Sequence, residues 1–120
     1  MKLIIAGSRD NCNIHHVRSA IESIPKDWSI TEIVSGGARG VDYLGEQWGH
    51  RCGIPVKIFP ARWATYGRGA GMMRNWEMAE YADGLLAVWD GVSVGTKNMI
   101  QVMKTLGKPS IIYSSIKEIN

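Results

Sequence analysis

The sequence predicts a single α/β domain of three layers over residues 1–120, a parallel sheet of about five strands with helices on both faces. Strand-like and helix-like segments alternate along the whole chain with short connections. The strand-like segments are near-continuous apolar runs, the pattern of strands covered on both sides. No repeat, low-complexity tract or linker interrupts the series, and 120 residues fit one domain.

The elements follow in order. Lys2 to Ala6 is β-branched and apolar and ends at Gly7, a strand that begins almost at the N-terminus. Ile14, Val17, Ile21 and Ile24 recur at helical spacing, with Asn13 placed to cap the first turn and Pro25 to end the helix. Ile30 to Val34 is a second strand, closed by Ser35-Gly36-Gly37. Val41, Leu44, Trp48 and Cys52 mark a second helix, and Gly53 supplies its C-terminal stop. Pro55 to Phe59 reads as a third strand, buried on both faces or nearly so. Pro60 to Gly71 is expected to be a loop, and Gly71 to Ala82 a helix carrying Met72, Met73, Trp76 and Ala79. Leu85 to Trp89 is a fourth strand, Thr96 to Leu106 a helix closed by Gly107, and Ser110 to Tyr113 a fifth strand. Trp48, Trp76 and Trp89 sit on apolar stripes and are expected in the core.

Composition excludes several classes. The apolar share of 45% can build a core, so disorder is not the default. Leu3 to Gly7 is far too short for a membrane span or a signal-peptide core, and Ser8-Arg9-Asp10 follows at once. The expectation is a soluble cytoplasmic domain without a membrane partner. Cys12 and Cys52 suggest neither a disulfide scaffold nor a zinc site, and no HExxH, CxxC or clustered Asp set points to a metal. No cofactor is called for. The net charge of +3 is a weak argument for bulk nucleic-acid binding. The excess is local: Arg39, Arg51, Lys57, Arg62, Arg68 and Arg74 face only Asp42 and Glu46 within residues 39–74. Arginine suits discrete phosphate or carboxylate recognition, although a solvated basic face has the same composition.

Glycine is the unusual residue, 14 of 120 where about 7% is ordinary. Nine of the 14 follow the expected carboxyl ends of four strands. In sheets of this kind ligands bind at those ends, near the point where strand order reverses. The clusters are Gly7-Ser8-Arg9, Ser35-Gly36-Gly37-Ala38-Arg39-Gly40-Val41-Asp42, Pro60 to Gly71, and Asp90-Gly91-Val92-Ser93-Val94-Gly95-Thr96. The second joins a strand to a helix, where glycines let backbone N–H groups approach a phosphate. It is either such a cradle or a tight turn, and it matches neither GxGxxG nor GxxxxGK[ST]. In the fourth, Ser93 or Thr96 either caps the next helix or donates to a phosphate. Asp90 there either accepts from a ribose hydroxyl or makes an Asp-Gly turn. Arg74 is either a phosphate clamp or a surface arginine, and Asn75 a base or sugar contact. Trp63 and Tyr66 either stack on a base or pack over the sheet edge. Nucleophilic catalysis has little support, because His15, His16 and His50 lie on helices away from the strand ends. Asp42 and Glu46 form an i, i+4 pair in the first turns of a helix, where the dipole favours both.

Taken together, these segments resemble a known family. Val34 to Asp42 with Leu44-Gly45-Glu46, Phe59-Pro60-Ala61-Arg62-Trp63, Ala70-Gly71 with Arg74-Asn75 and Met78-Ala79, and Trp89-Asp90-Gly91 with Gly95-Thr96-Lys97 are similar to the small phage and bacterial YspA-type members of the SLOG superfamily. That superfamily shares the fold of the SMF/DprA and LOG proteins. The resemblance implies a Rossmann-like domain binding a nucleotide or nucleotide-derived ligand at Gly7, Ser8, Arg9, Ser35, Gly36, Gly37, Ala38, Arg39, Asp42, Pro60, Arg74, Asn75, Asp90, Gly91, Ser93, Gly95 and Thr96.

The LOG relatives cleave the N-glycosidic bond of nucleoside monophosphates, and their Gly-Gly-x-Gly-Thr-x-x-Glu motif is similar to Ser93-Val94-Gly95-Thr96. Where they place the catalytic Glu, this chain has Met99, while Arg74 corresponds to their catalytic Arg. The resemblance therefore implies binding without hydrolysis, as a sensor or phage sequestering protein for an ADP-ribose-type or cyclic nucleotide signal. The alternatives it leaves are an altered N-glycosidase using Asp42, Glu46 or Asp90, and DprA-like single-strand DNA binding. It also implies a homo-oligomer, with Met72, Met73 and Trp76 as the candidate surface if they are not core.

Overall fold

A computed structural model describes residues 1–115. It holds a five-stranded, wholly parallel sheet ordered β3-β2-β1-β4-β5, where β1 is Lys2–Gly7, β2 Glu32–Ser35, β3 Val56–Ile58, β4 Gly84–Trp89 and β5 Ser110–Ser114. Five α-helices connect and cover them: α1 Ile14–Glu22, α2 Val41–Arg51, α3 Trp63–Tyr66, α4 Ala70–Tyr81 and α5 Val94–Thr105. The α/β Rossmann-like arrangement expected from the alternation is the one observed.

Strand periodicity explains the layers. Successive side chains of β1 point to opposite faces, so Leu3 and Ile5 go one way and Ile4 the other. Leu3 and Ile5 join Val17, Ala20, Ile33, Val41 and Leu86 under α1 and α2. Ile4 joins Met78, Ala79, Leu85, Met99 and Met103 under α4 and α5. Both clusters are closed to solvent, and each needs the central strands to be apolar at every position.

The chain runs outward through β1, β2 and β3, then crosses back to place β4 on the other side of β1. Strand order therefore reverses between β1 and β4, and the crevice beyond their carboxyl ends is where such sheets hold ligands. Ile4 pairs with Leu85 and Gly7 with Val88, so the two strands end level with one another.

Four expectations are corrected. β3 is not buried on both faces: it is a three-residue edge strand with Lys57 and Ile58 exposed. An edge strand has a neighbour on one side only, and Lys57 lies over the Phe59 and Tyr81 rings, where its charge discourages further strand pairing. Residues 60–71 are not plain loop, since α3 and a 3-10 turn at Gly67–Gly69 occupy most of them. Trp76 is not core: with Met72 and Met73 it faces solvent, 41% exposed, because α4 turns Met78 and Ala79 to the sheet. Cys52 is likewise exposed rather than part of the α2 stripe. Asn13 does cap α1, its side chain accepting from the His15 N–H at 2.9 Å.

Among the described residues no helix is long and apolar enough to cross a membrane.

Gly40 is the backbone position on which the β1–α2 junction depends. Its φ is +77°, and an added Cβ would stand 2.4 Å from the Ser8 carbonyl oxygen and 2.6 Å from that of Arg9. Gly53 has a comparable φ of +68° but open space around it. Gly53→Ala is expected to cost about 1 kcal/mol in urea denaturation, from backbone strain alone. Gly40→Ala is expected to cost clearly more, about 3 kcal/mol, because strain and a backbone collision act together. Equal losses for the two variants would contradict the assigned junction.

Candidate functional site

The carboxyl ends of β1, β2 and β4 open into a cavity of about 1100 Å³. Of the 17 residues expected to bind ligand, all but Ser35 and Gly91 line it. Ser35 lies beneath, its Oγ donating to Glu46 Oε2 at 2.6 Å and accepting from the Gly37 N–H at 3.1 Å. Gly91 has a φ of +85° and shapes the turn after β4. Also on the wall are Trp63, Arg68 and Met72 from the segment read as a loop and its following helix, and Asn98 and Met99 from α5.

The glycine loop between β2 and α2 is organised around one carboxylate. Asp42 is 6% exposed, and its Oδ2 accepts from the Ala38 N–H at 3.3 Å. Burial pushes its pKa up to about 6. The Ala38 and Gly7 N–H groups and the Arg74 charge oppose that rise, and Glu46 adds to it. Two of the loop amides therefore already have acceptors within the protein: Ser35 Oγ for Gly37 and Asp42 for Ala38. With those two N–H groups committed, the turn is organised around an internal anion.

Arg74 closes the other side of the loop. Its Nη1 donates to the Gly36 carbonyl at 2.8 Å and its Nε to Asn75 Oδ1 at 3.3 Å. Burial weighs against its charge, as does Arg9, while Asp42 supports it. Gly36 stands between the two groups, since a Cβ there would be 2.8 Å from Arg74 Nη1 and 2.9 Å from Asp42 Oδ2. A side chain at that position would push the guanidinium and the carboxylate out of register.

The turn before α5 is arranged differently. Asp90 Oδ1 accepts from the N–H groups of Val92 and Ser93 at 2.9 and 2.7 Å, which makes the Asp-Gly turn and occupies that oxygen. Trp89 is half-buried and pins the same turn through Nε1 to the Ser93 carbonyl at 3.1 Å. Ser93 Oγ meets Thr96 Oγ1 at 3.1 Å, and no side chain caps the helix. The first-turn N–H groups of Val94, Gly95 and Thr96 have no intrahelical acceptor, and all three residues line the cavity. Neither helix has a side-chain cap, but α2 carries an acid in its first turn, Asp42, and α5 carries none.

Asn75, expected as a base or sugar contact, is buried with both amide hydrogens committed inside the protein. Nδ2 donates to the Gly95 carbonyl at 3.2 Å and to Asn98 Oδ1 at 2.8 Å, which ties α4 to the start of α5. Asn98 went unread in the sequence although a signal existed. Gly95, Asn98 and Met99 share a helix face at i, i+3 and i+4, so a first turn facing the cavity brings the next turn with it. Trp63 is 59% exposed at the cavity wall, its ring edge 3.5 Å from where a Gly71 Cβ would stand.

A Rossmann-like sheet with glycine-rich strand ends around one arginine-bearing cavity defines a class of small-ligand-binding α/β domain. The profile of the YspA, cpYpsA-related SLOG family matches residues 1–66, and the chain belongs to that family. The matched span contains β1, the glycine loop and Asp42; Arg74 and α5 lie beyond it. The chain is also similar to the Gene 61 protein of Mycobacterium phage D29, 36% identical over 87 residues, covering 68% of this chain and 70% of that protein. Family membership carries nucleotide-related ligand binding or processing as the coarse function.

Asp42 sets a pH dependence whose sign follows from its raised pKa. Between about pH 4 and pH 6 the folded protein holds a proton that the unfolded chain has released, so this group's contribution to stability falls as pH rises through that window. Above it the buried charge is a cost of about 1–3 kcal/mol. Asp42→Asn keeps an acceptor for the loop amides and is expected to be more stable than wild type at pH 7.5, with the gap closing below pH 4. Guanidinium denaturation across pH reads both; a variant less stable than wild type at pH 7.5 contradicts the assignment.

Proposed function

We propose that the chain binds a nucleotide-derived small molecule in this cavity, with a phosphoryl group at the N-terminus of α5. The observation that carries the reading is the contrast between the two helix ends. The α2 end carries the chain's own carboxylate in its first turn, whereas the α5 end has no acid there and its uncapped N–H groups lie on the cavity that Arg74 also lines. A cavity of about 1100 Å³ has room for a base and sugar as well as phosphate. The exposed Trp63 ring offers a surface on which a base stacks. Met99, 1% exposed, is apolar where the LOG relatives place a carboxylate, which favours retention of the ligand over its hydrolysis. An ADP-ribose-type or cyclic nucleotide signal, bound by a sensor or sequestering protein, fits these features.

One observation favours a second reading. Asp42 carries a pKa of about 6 on the cavity wall, in the range useful to a general acid. The other candidates for such a role are engaged elsewhere, Glu46 with Ser35 and Asp90 with the turn. An N-glycosidase of altered type would use Asp42, and release of free base from nucleoside monophosphates reads it directly.

Isothermal titration with AMP, ADP-ribose, cyclic ADP-ribose and cyclic dinucleotides tests the first reading. Binding of at least one is expected, weakened roughly 10–100-fold by Arg74→Ala, the loss expected for a charge-assisted hydrogen bond to phosphate. Silence across the panel overturns the reading.

A further inference from the structure

The hydrogen bonds behind α5 determine which way one cavity-lining side chain presents its polar atoms. Arg74 Nε can only donate, so the Asn75 atom that meets it at 3.3 Å is the amide oxygen. The Gly95 carbonyl can only accept, so the Asn75 atom that meets it at 3.2 Å is the amide nitrogen. These two contacts orient Asn75 independently and agree. Its second N–H then points at Asn98, and the Asn98 atom that receives it at 2.8 Å must be the oxygen. Asn98 is left with its Nδ2 unpartnered among the described residues, on a side chain that lines the cavity. A guanidinium thus fixes the polarity of an amide two side chains away, and a chain of bonds of this kind polarises its last member.

We propose that Asn98 is a ligand-contacting hydrogen-bond donor, oriented through Asn75 by Arg74, that selects for an acceptor-only group such as a phosphoryl. The proposal rests on the binding reading above and assigns it a residue. Several neighbouring groups are of the same kind. The first-turn N–H groups of α5 and the Arg74 guanidinium also donate, so this end of the cavity presents donors to whatever enters. A hydroxyl satisfies the donors of such a wall less well, because its oxygen is uncharged. A phosphoryl oxygen satisfies it fully. The carboxylate of Asp42 also lines the cavity, next to Gly36 of the glycine loop, where a donor-bearing sugar or base is suited.

The test compares wild type, Asn98→Ala and Asn98→Asp by isothermal titration with AMP, ADP-ribose and unphosphorylated adenosine, after thermal melts establish that each variant is folded. Asn98→Asp is nearly isosteric and exchanges the donor for an acceptor; Asn98→Ala only removes the donor, which separates donor loss from charge repulsion. Asn98→Ala is expected to weaken the phosphorylated ligands roughly tenfold and Asn98→Asp further still, with adenosine changed less than twofold by either. If wild type binds a phosphorylated ligand and Asn98→Ala binds it within twofold, the assignment of Asn98 is overturned while the binding reading stands. If the variants weaken adenosine as much as AMP, selection for the phosphoryl is overturned. If wild type binds none of the three, both readings fall together.

Discussion

Burying a carboxylate among backbone amides constrains the whole carboxyl end of this sheet. Asp42 sits in the first turn of α2, closed to solvent, and its charge is tolerable only because several groups converge on it. The Ala38 N–H comes from the loop after β2, the Gly7 N–H from the end of β1, and the Arg74 charge from α4. Those three elements are remote in sequence, and one anion holds them in register. The glycines of the loop follow from the same demand: Gly36 leaves room for the guanidinium and the carboxylate, and Gly40 lets the backbone turn under the Ser8 carbonyl. Such an arrangement weakens the ligand-free fold above the pKa of Asp42, the usual sign that a group is retained for function.

The division of labour between the two helix ends follows from that anion. A helix N-terminus attracts negative charge, and α2 draws it from its own first turn. The α5 end, with Asp90 drawn into the preceding turn rather than over the helix, keeps its first amides available. Arg74 belongs to both sides, bonded to the glycine loop through Nη1 and to the α5 anchor Asn75 through Nε. The cavity accordingly combines the α5 donors, with the Asp90 carboxylate in the turn before them, and the Asp42 carboxylate beside the glycine loop.

Much of this was legible in the sequence, for physical reasons that differ by element. Central strands such as Leu85–Trp89 must be apolar throughout when both faces are covered, so their runs identify a parallel sheet directly. β3 was misread because edge position depends on which strands pair, and Pro55 to Phe59 is apolar enough to pass for an inner strand. Trp76 was misread because helical spacing places it near an apolar stripe without saying which side meets the sheet. Glycine clustering located the cavity, since strand ends are local features. The partner of each amide is not local. Nothing in Ser35 to Asp42 distinguishes a loop that holds a phosphate from one that holds its own aspartate, and the Arg74–Asn75–Asn98 relay spans two helices.

On the proposed reading, the anion of the ligand sits at the α5 N-terminus and not on the glycine loop. Backbone amide shifts in a ¹⁵N-labelled sample titrated with ADP-ribose test it most directly. The account predicts that the amides of Val94, Gly95 and Thr96 move most, while those of Gly37 and Ala38, already bonded to Ser35 and Asp42, stay nearly fixed. Large shifts at Gly37 and Ala38 with α5 unmoved would contradict it, because the ligand would then have displaced Asp42 from its own amides.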